Sequence, residues 1–348
     1  MNKGFDGKGF LWMSFIRRNP FFYSGGSMKA IIVEEIGSFT IRNMETPAPG
    51  HGEVLVRVSV TGLCRTDLKL IRVGHRDLVL PRIPGEEVVG VVETLGTGVD
   101  TFIAGQRVYI YPGTSCGICK PCRSGAENLC KDMQIMGFHR HGGFAEYVIA
   151  PARSLIPVPD NITDEEAVFA EPLSCCLNAL ELSRLKTGET IAIWGAGPAG
   201  SLLTRGAHAL GAEVTVIDTD ERRASLASGL SRPPDKTFDA AIVAVGSREA
   251  YVEALEHLGP RGRLVVFSGL APDHCAMKTD FNQLHYLEQT IVGAYGCSFR
   301  HGREALDAIS TGSVPVNDLI SHAMPLGDLE KALGLVEQRE CMKIHLYP

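Results

Sequence analysis

The chain has 348 residues, 45% hydrophobic and 21% charged, with a formal net charge of −6. That length accommodates two domains of ordinary size, each with its own core. Its scattered basic residues exclude the phosphate-tracking stripe of a nucleic-acid binder, and no run of about 18 apolar residues is present to span a membrane.

In chain order, residues 1–27 read as a poorly ordered extension. The apolar stretch Phe10–Phe22 is broken by Ser14, Arg17, Arg18, Asn19 and Pro20 before a signal-peptide core can form. Strand-like sequence begins at Met28. Up to Ala150 the runs Ala30–Glu35, Glu53–Val60, Glu87–Thr94, Arg107–Tyr111 and Phe144–Ala150, separated by turn signals, predict a small irregular β-barrel. Thr163 and Glu166 form a capping box that opens a helical segment, which Pro172 is expected to interrupt. After Gly188, strands alternate with helical stretches at Thr190–Trp194, Gly200–Leu210, Glu213–Asp218, Ala240–Val245 and Arg263–Ser268. That alternation predicts a parallel, doubly wound α/β sheet. About twenty residues, including Pro233 and Pro234, separate Asp218 from Ala240, too few for a full βα unit, so the sheet is expected to lack one of the usual six strands.

Ten cysteines in a chain of this size do not imply a disulfide scaffold, because four of them fall in one loop as Cys116-x2-Cys119-x2-Cys122-x7-Cys130. Four thiolates at this spacing suit one tetrahedral zinc with no open position, a structural site in a reducing, cytoplasmic compartment. A ferredoxin run also begins Cys-x2-Cys-x2-Cys, but its fourth cysteine follows after three residues and precedes proline; Cys130 follows after seven and precedes Lys131.

The fingerprint Gly195-Ala196-Gly197-Pro198-Ala199-Gly200 follows the strand Thr190–Trp194 and opens a helix, and Asp218 ends the next strand. Gly195 allows the tight turn, Gly197 lets the backbone approach a pyrophosphate, and Gly200 permits close helix–strand packing. Phosphates would meet the helix N-terminus. Asp218 is placed to accept from the adenosine ribose hydroxyls and to repel a 2′-phosphate, which points to NAD rather than NADP. Arg222 and Arg223 follow closely enough to hold a phosphate instead.

Gly62-Leu-Cys64-Arg-Thr66-Asp67, Pro84-Gly-Glu86-Glu87-Val-Val-Gly90, the four-cysteine loop, Gly142-Gly-Phe-Ala-Glu-Tyr147, Glu171-Pro-Leu173 and the dinucleotide fingerprint occur in the order of the zinc-containing medium-chain dehydrogenases, which the chain therefore resembles. Glu171-Pro-Leu173 looks most like the sorbitol and polyol dehydrogenase branch. The resemblance implies a GroES-like β-barrel catalytic domain interrupted by a Rossmann domain: residues 28–155, then 156–295, with 296–348 returning to the catalytic domain. It implies hydride transfer between NAD(H) and a secondary alcohol, polyol or matching ketone, and a homodimer or homotetramer. In relatives a catalytic zinc polarises the substrate oxygen. Carried over, Cys64 is its thiolate ligand, Thr66 the hydroxyl beside the substrate oxygen, and Glu171 the acidic group at or near the metal.

Two departures touch that site. The family has Gly-His-Glu where this chain has Gly85-Glu86-Glu87, and Lys69 stands where a proton-relaying histidine is frequent. Cysteine thiolate, neutral histidine and one carboxylate balance zinc's two charges; with Glu86 as ligand the set is one unit negative and the metal a weaker Lewis acid. Lys69 either compensates that charge or pairs with Glu86 so that no catalytic metal binds. The second case describes a zinc-independent reductase or a non-catalytic NAD-binding relative. Adjacent residues on an extended segment face opposite sides, so Glu86 rather than Glu87 is expected to face Cys64. Cys175 and Cys176 read as core, with either able to stand in if Glu86 does not bind. His75, His139 and His141 read as surface or loop residues.

Overall fold

The computed structural model describes residues 26–348. The extension expected over residues 1–27 lies outside them, apart from Gly26 and Ser27.

The N-terminal barrel is organised by Glu53–Leu63, an 11-residue strand whose apolar side chains are almost all buried. It pairs antiparallel with Glu87–Leu95, Tyr147–Pro151 and Lys343–Tyr347. Register shifts at Leu55/Val56 and Val58/Val60 bend it so that it serves these partners along its length. The sheet runs Ile320–Pro325, Lys343–Tyr347, Glu53–Leu63, Glu87–Leu95, Arg107–Ile110, Leu155–Pro157. The last segment of the chain is thus built into the first domain's sheet. The strand Thr40–Glu45 escapes prediction because it is almost wholly exposed and shows no buried alternation.

Between these barrel segments lies a five-stranded parallel sheet, in the order Glu213–Ile217, Thr190–Trp194, Phe238–Val243, Leu258–Val266, Thr290–Gly293. Among the described residues, the interval after Glu213–Ile217 holds the short helix Glu221–Leu226 and a single parallel bridge from Leu230 to Ile217 on the sheet's outer edge.

The capping box at Thr163 and Glu166 is present in both directions, Thr163 N to Glu166 Oε2 at 2.8 Å and Glu166 N to Thr163 Oγ1 at 3.2 Å. The expected interruption at Pro172 is not. The chain breaks earlier, at Val168 and Phe169, between the helices Asp164–Ala167 and Ala170–Ser183. Pro172 sits in the first turn of the second helix, where a missing N–H breaks no helical bond. One apolar cluster joins the two lobes, with Val60 and Tyr109 from the barrel, Phe169 and Leu173 from this helix, and Ile193 and Ile242 from the parallel sheet.

Candidate active site

Cys64 ends the strand Glu53–Leu63 and caps the helix Arg65–Arg72. Its sulfur accepts from Thr66 N at 3.4 Å, and its own N–H donates to Asp67 Oδ2 at 2.9 Å. The other Asp67 oxygen accepts from Gly85 N at 3.1 Å. Asp67 therefore ties the cysteine to the Pro84-Gly85-Glu86 turn, a role that its place inside a quoted motif did not disclose. Burial foremost, with Glu87 adding to it, raises its carboxyl to about 7. Lack of water, then Glu87 and Glu86, push the Cys64 thiol well above its ordinary value.

Glu87, fully buried, accepts from Lys343 Nζ at 2.7 Å on both oxygens. Its carboxylate fills the space above Gly62, where an added Cβ would come to 1.9 Å from Glu87 Oε2. Burial opposes the Lys343 charge most strongly, but Glu87, Cys64 and Glu171 together hold its pKa above the usual lysine value. Lys69 lies exposed on the outer face of its helix. Among the described residues it forms no ion pair with Glu86; the ammonium near these acids is Lys343, which arrives from the far end of the sequence. Glu86 is half-buried, and desolvation, Asp67, Glu87 and Cys297 raise its carboxyl well above the ordinary range.

Glu171 and Cys175 stand one turn apart on the helix Ala170–Ser183, on one face. The Cys175 thiol donates to Glu171 Oε1 at 3.7 Å. Cys297, on the loop before the helix Phe299–Ser310, joins them, and the three donor atoms lie within 4.8 Å of one another. Hydrogen bonds from Cys175 and Ser174 draw the Cys297 thiol down against its burial. Desolvation, then Glu86 and Glu87, push Glu171 up. Cys297 carried no sequence signal, because nothing local to Gly296-Cys297-Ser298 marks a ligand. Cys176 is core, and its thiol reaches Ala199 O at 3.6 Å. The helix bearing Glu171 thereby rests on the helix opened by the glycine fingerprint.

At that fingerprint Gly195 takes φ +106°, and a Cβ on Gly200 would fall 1.7 Å from Gly195 O, so neither position admits a side chain. The helix Pro198–Ala209 starts at Gly197 with no side chain capping its N-terminus, and Pro198 occupies its first turn. Asp218 accepts from Ala196 N at 2.7 Å and from Asp220 N at 2.9 Å. Arg223 donates to Arg339 O at 2.9 Å, and its guanidinium passes 3.2 Å from where a Gly197 Cβ would stand. Arg222 is exposed.

In the four-cysteine loop the Sγ atoms of Cys116, Cys119, Cys122 and Cys130 all lie within 4.8 Å of one another, with Cys119 to Cys122 at 3.3 Å. Backbone N–H groups of Ile118 and Cys119 draw the Cys116 thiol down to about 6. Four sulfurs so gathered, one already inclined to ionise, fit a closed tetrahedral metal. His75 meets the ring of Phe138 edge-on at 5.0 Å, while His139 accepts from Ile135 N at 3.1 Å and His141 from Ile83 N at 3.2 Å. These three shape loops.

Residues 50–160 match the alcohol dehydrogenase GroES-like domain. Over 313 residues the chain is 33% identical to the alcohol dehydrogenase of Geobacillus stearothermophilus, a match that covers 82% of this chain and 90% of that one. The chain belongs to the zinc-containing medium-chain dehydrogenases. It is 27% identical over 350 residues to the sorbitol dehydrogenase of Bacillus subtilis, covering 92% of this chain and 98% of that one. Among solved structures, an alcohol dehydrogenase from Escherichia coli CFT073 complexed with NADH superposes with a TM-score of 0.87 at 27% identity, over 93% of this chain and all of that one. A zinc-binding dehydrogenase from Sinorhizobium meliloti 1021 bound to NADP gives 0.85 at 29% identity, over the same shares. A medium-chain dehydrogenase with these relatives is an oxidoreductase of the alcohol and polyol type.

The family's catalytic metal meets a donor set that differs from the expected one. Cys64, Glu86 and Glu171 do not bring three ligand atoms within 4.8 Å of one another among the described residues. Glu86, where the family has an imidazole, adds a third acid to Asp67 and Glu87 around Cys64. Glu171 turns instead to Cys175 and Cys297. No helix among the described residues is long and apolar enough to cross a membrane.

Proposed function

We propose that the protein is an NAD(H)-linked oxidoreductase that moves a hydride between the nicotinamide and a secondary alcohol, polyol or matching ketone. The observation that carries this reading is the contact of Cys176 with Ala199, which sets Glu171 and Cys175 on a helix packed against the dinucleotide fingerprint. Gly195, Ala196, Gly197, Pro198, Ala199 and Gly200 would cradle the pyrophosphate at the uncapped helix N-terminus. Asp218 would accept from the ribose hydroxyls, with Arg223 beside the phosphates. The known cofactors of relatives leave the choice open, since one holds NADH and another NADP; the Asp218 carboxylate favours NAD.

On the substrate side, Thr66 would stand at the substrate oxygen. Glu86, its carboxyl pushed well above the ordinary range by desolvation and neighbouring acids, would be the acid that delivers a proton to a carbonyl oxygen as the hydride arrives. Asp67 and the Glu87–Lys343 pair would hold the Cys64 turn in place. The four-cysteine loop would carry a structural zinc. The domain division 28–155, 156–295 and 296–348, a homodimer or homotetramer, and a cytoplasmic place belong to the same reading.

The test is transfer of label from 4-deuterated NADH to a panel of ketones and keto-sugars, read by mass spectrometry. Deuterium on the carbinol carbon supports the reading. NADH binding with no transfer to any acceptor overturns it in favour of a non-catalytic NAD-binding protein, which the acid-rich surroundings of Cys64 would suit.

A further inference from the structure

One cluster of soft donors is gathered without help from Cys64. Glu171 Oε1 and Cys175 Sγ are 3.7 Å apart, and Cys297 Sγ lies within 4.8 Å of both. Ligand atoms around a tetrahedral zinc, at about 2.0–2.3 Å from it, stand about 3.3–3.8 Å from one another, so closing this set requires little movement. We propose that Glu171, Cys175 and Cys297 form a binding site for a thiophilic divalent cation such as zinc, displaced from the Cys64 turn, with its fourth position open to water or to an oxygen ligand.

Three features support the site. The loop carrying Cys297 is pinned at successive carbonyls: Asn128 Nδ2 donates to Tyr295 O at 2.6 Å, Asn178 Nδ2 to Gly296 O at 2.8 Å and Tyr111 Oη to Cys297 O at 2.8 Å. A site held by rigid partners loses little freedom when a metal binds. Next, the Tyr109 hydroxyl is buried without a hydrogen-bond partner, and the groups that act on it through space are headed by Cys297, Glu171 and Cys175. Under this proposal, a ligand in the open position would supply the partner that this hydroxyl lacks. Last, Asp67, Glu87 and Glu171 are buried and Glu86 half-buried, and Lys343, the one buried ammonium among the described residues, is committed to Glu87. A dication would supply Glu171 with a cationic partner of its own. Two sulfurs and one oxygen select zinc or cadmium over magnesium or calcium.

The inference does not rest on hydride transfer, because metal content is read without turnover. Purified full-length protein, kept reduced, dialysed against zinc and desalted, should contain two zinc ions per chain. Cys297→Ala and Cys175→Ala should each lower that to one, whereas Cys64→Ala should keep two. NADH binding serves as the check that each variant is folded. One zinc per chain in the unaltered protein overturns the proposal, as does loss of the second zinc in Cys64→Ala with retention in Cys297→Ala. Should the cysteine variants not fold, cadmium-113 NMR of the unaltered protein decides. A second resonance upfield of the four-thiolate signal is the expected result, and a four-thiolate signal alone overturns the proposal.

Discussion

Lys343 Nζ lies 2.7 Å from both carboxylate oxygens of Glu87, across 256 residues of sequence, with neither side chain reaching solvent to any extent. The pair joins the last strand of the chain to the strand that opens beside the candidate site. Lys343→Met would leave Glu87 buried and uncompensated, and breaking such a pair costs about 3–5 kcal/mol. The expected result is a clear drop in the thermal unfolding midpoint, largely restored in Lys343→Met/Glu87→Gln. A single variant as stable as the parent would show that Glu87 is protonated or paired elsewhere.

His345, two residues on, is fully buried with neither ring nitrogen partnered, and its ring meets Phe169 edge-on at 5.4 Å. Burial, helped by Lys343, pushes it from 6.5 down to about 3. The unfolded chain therefore takes up the proton first. Stability is full above pH 6.5 and falls as the pH drops toward 3, by up to about 1.4 kcal/mol per pH unit. His345→Leu should flatten this part of the acid limb without lowering stability at pH 7. An unchanged limb in denaturant titrations from pH 7 to 4 would remove His345 as its source.

The four-cysteine loop contributes little apolar surface of its own, and Ile118 and Leu129 are exposed. Cys119→Ser should release one zinc per chain and destabilise the protein, with cofactor affinity in the surviving folded fraction unchanged. Zinc content equal to the parent's, by mass spectrometry, would refute a four-thiolate site.

Asp218 holds the fingerprint turn through Ala196 N, and the proposed function has it accept from the adenosine ribose. Titration should favour NADH over NADPH at least tenfold, about 1.4 kcal/mol. Asp218→Ser should narrow that gap, since Arg222 and Arg223 would then face the 2′ position without the acid. A preference for NADPH in the parent would assign control to the arginines.

Short spacings carry what is legible locally. The glycine fingerprint, the four-cysteine spacing, the Thr163–Glu166 capping box and the strand alternations are each complete within a few residues, so backbone sterics and ligand geometry constrain them locally. The same local reading recognised that Glu86 stands where a histidine is usual. It assigned the nearby cation to Lys69, because on the helix Arg65–Arg72 that residue is close in sequence, yet the helix turns Lys69 to solvent. Only the tertiary structure brought Lys343 to Glu87, by laying the last strand against Gly62, a position that no side chain larger than hydrogen could share with that carboxylate. Only the tertiary structure, too, placed Cys297 beside Glu171 and Cys175. Buried charges and soft donors are selected by which partners a distant chain crossing supplies, and sheet register and helix packing settle that after the local elements have formed.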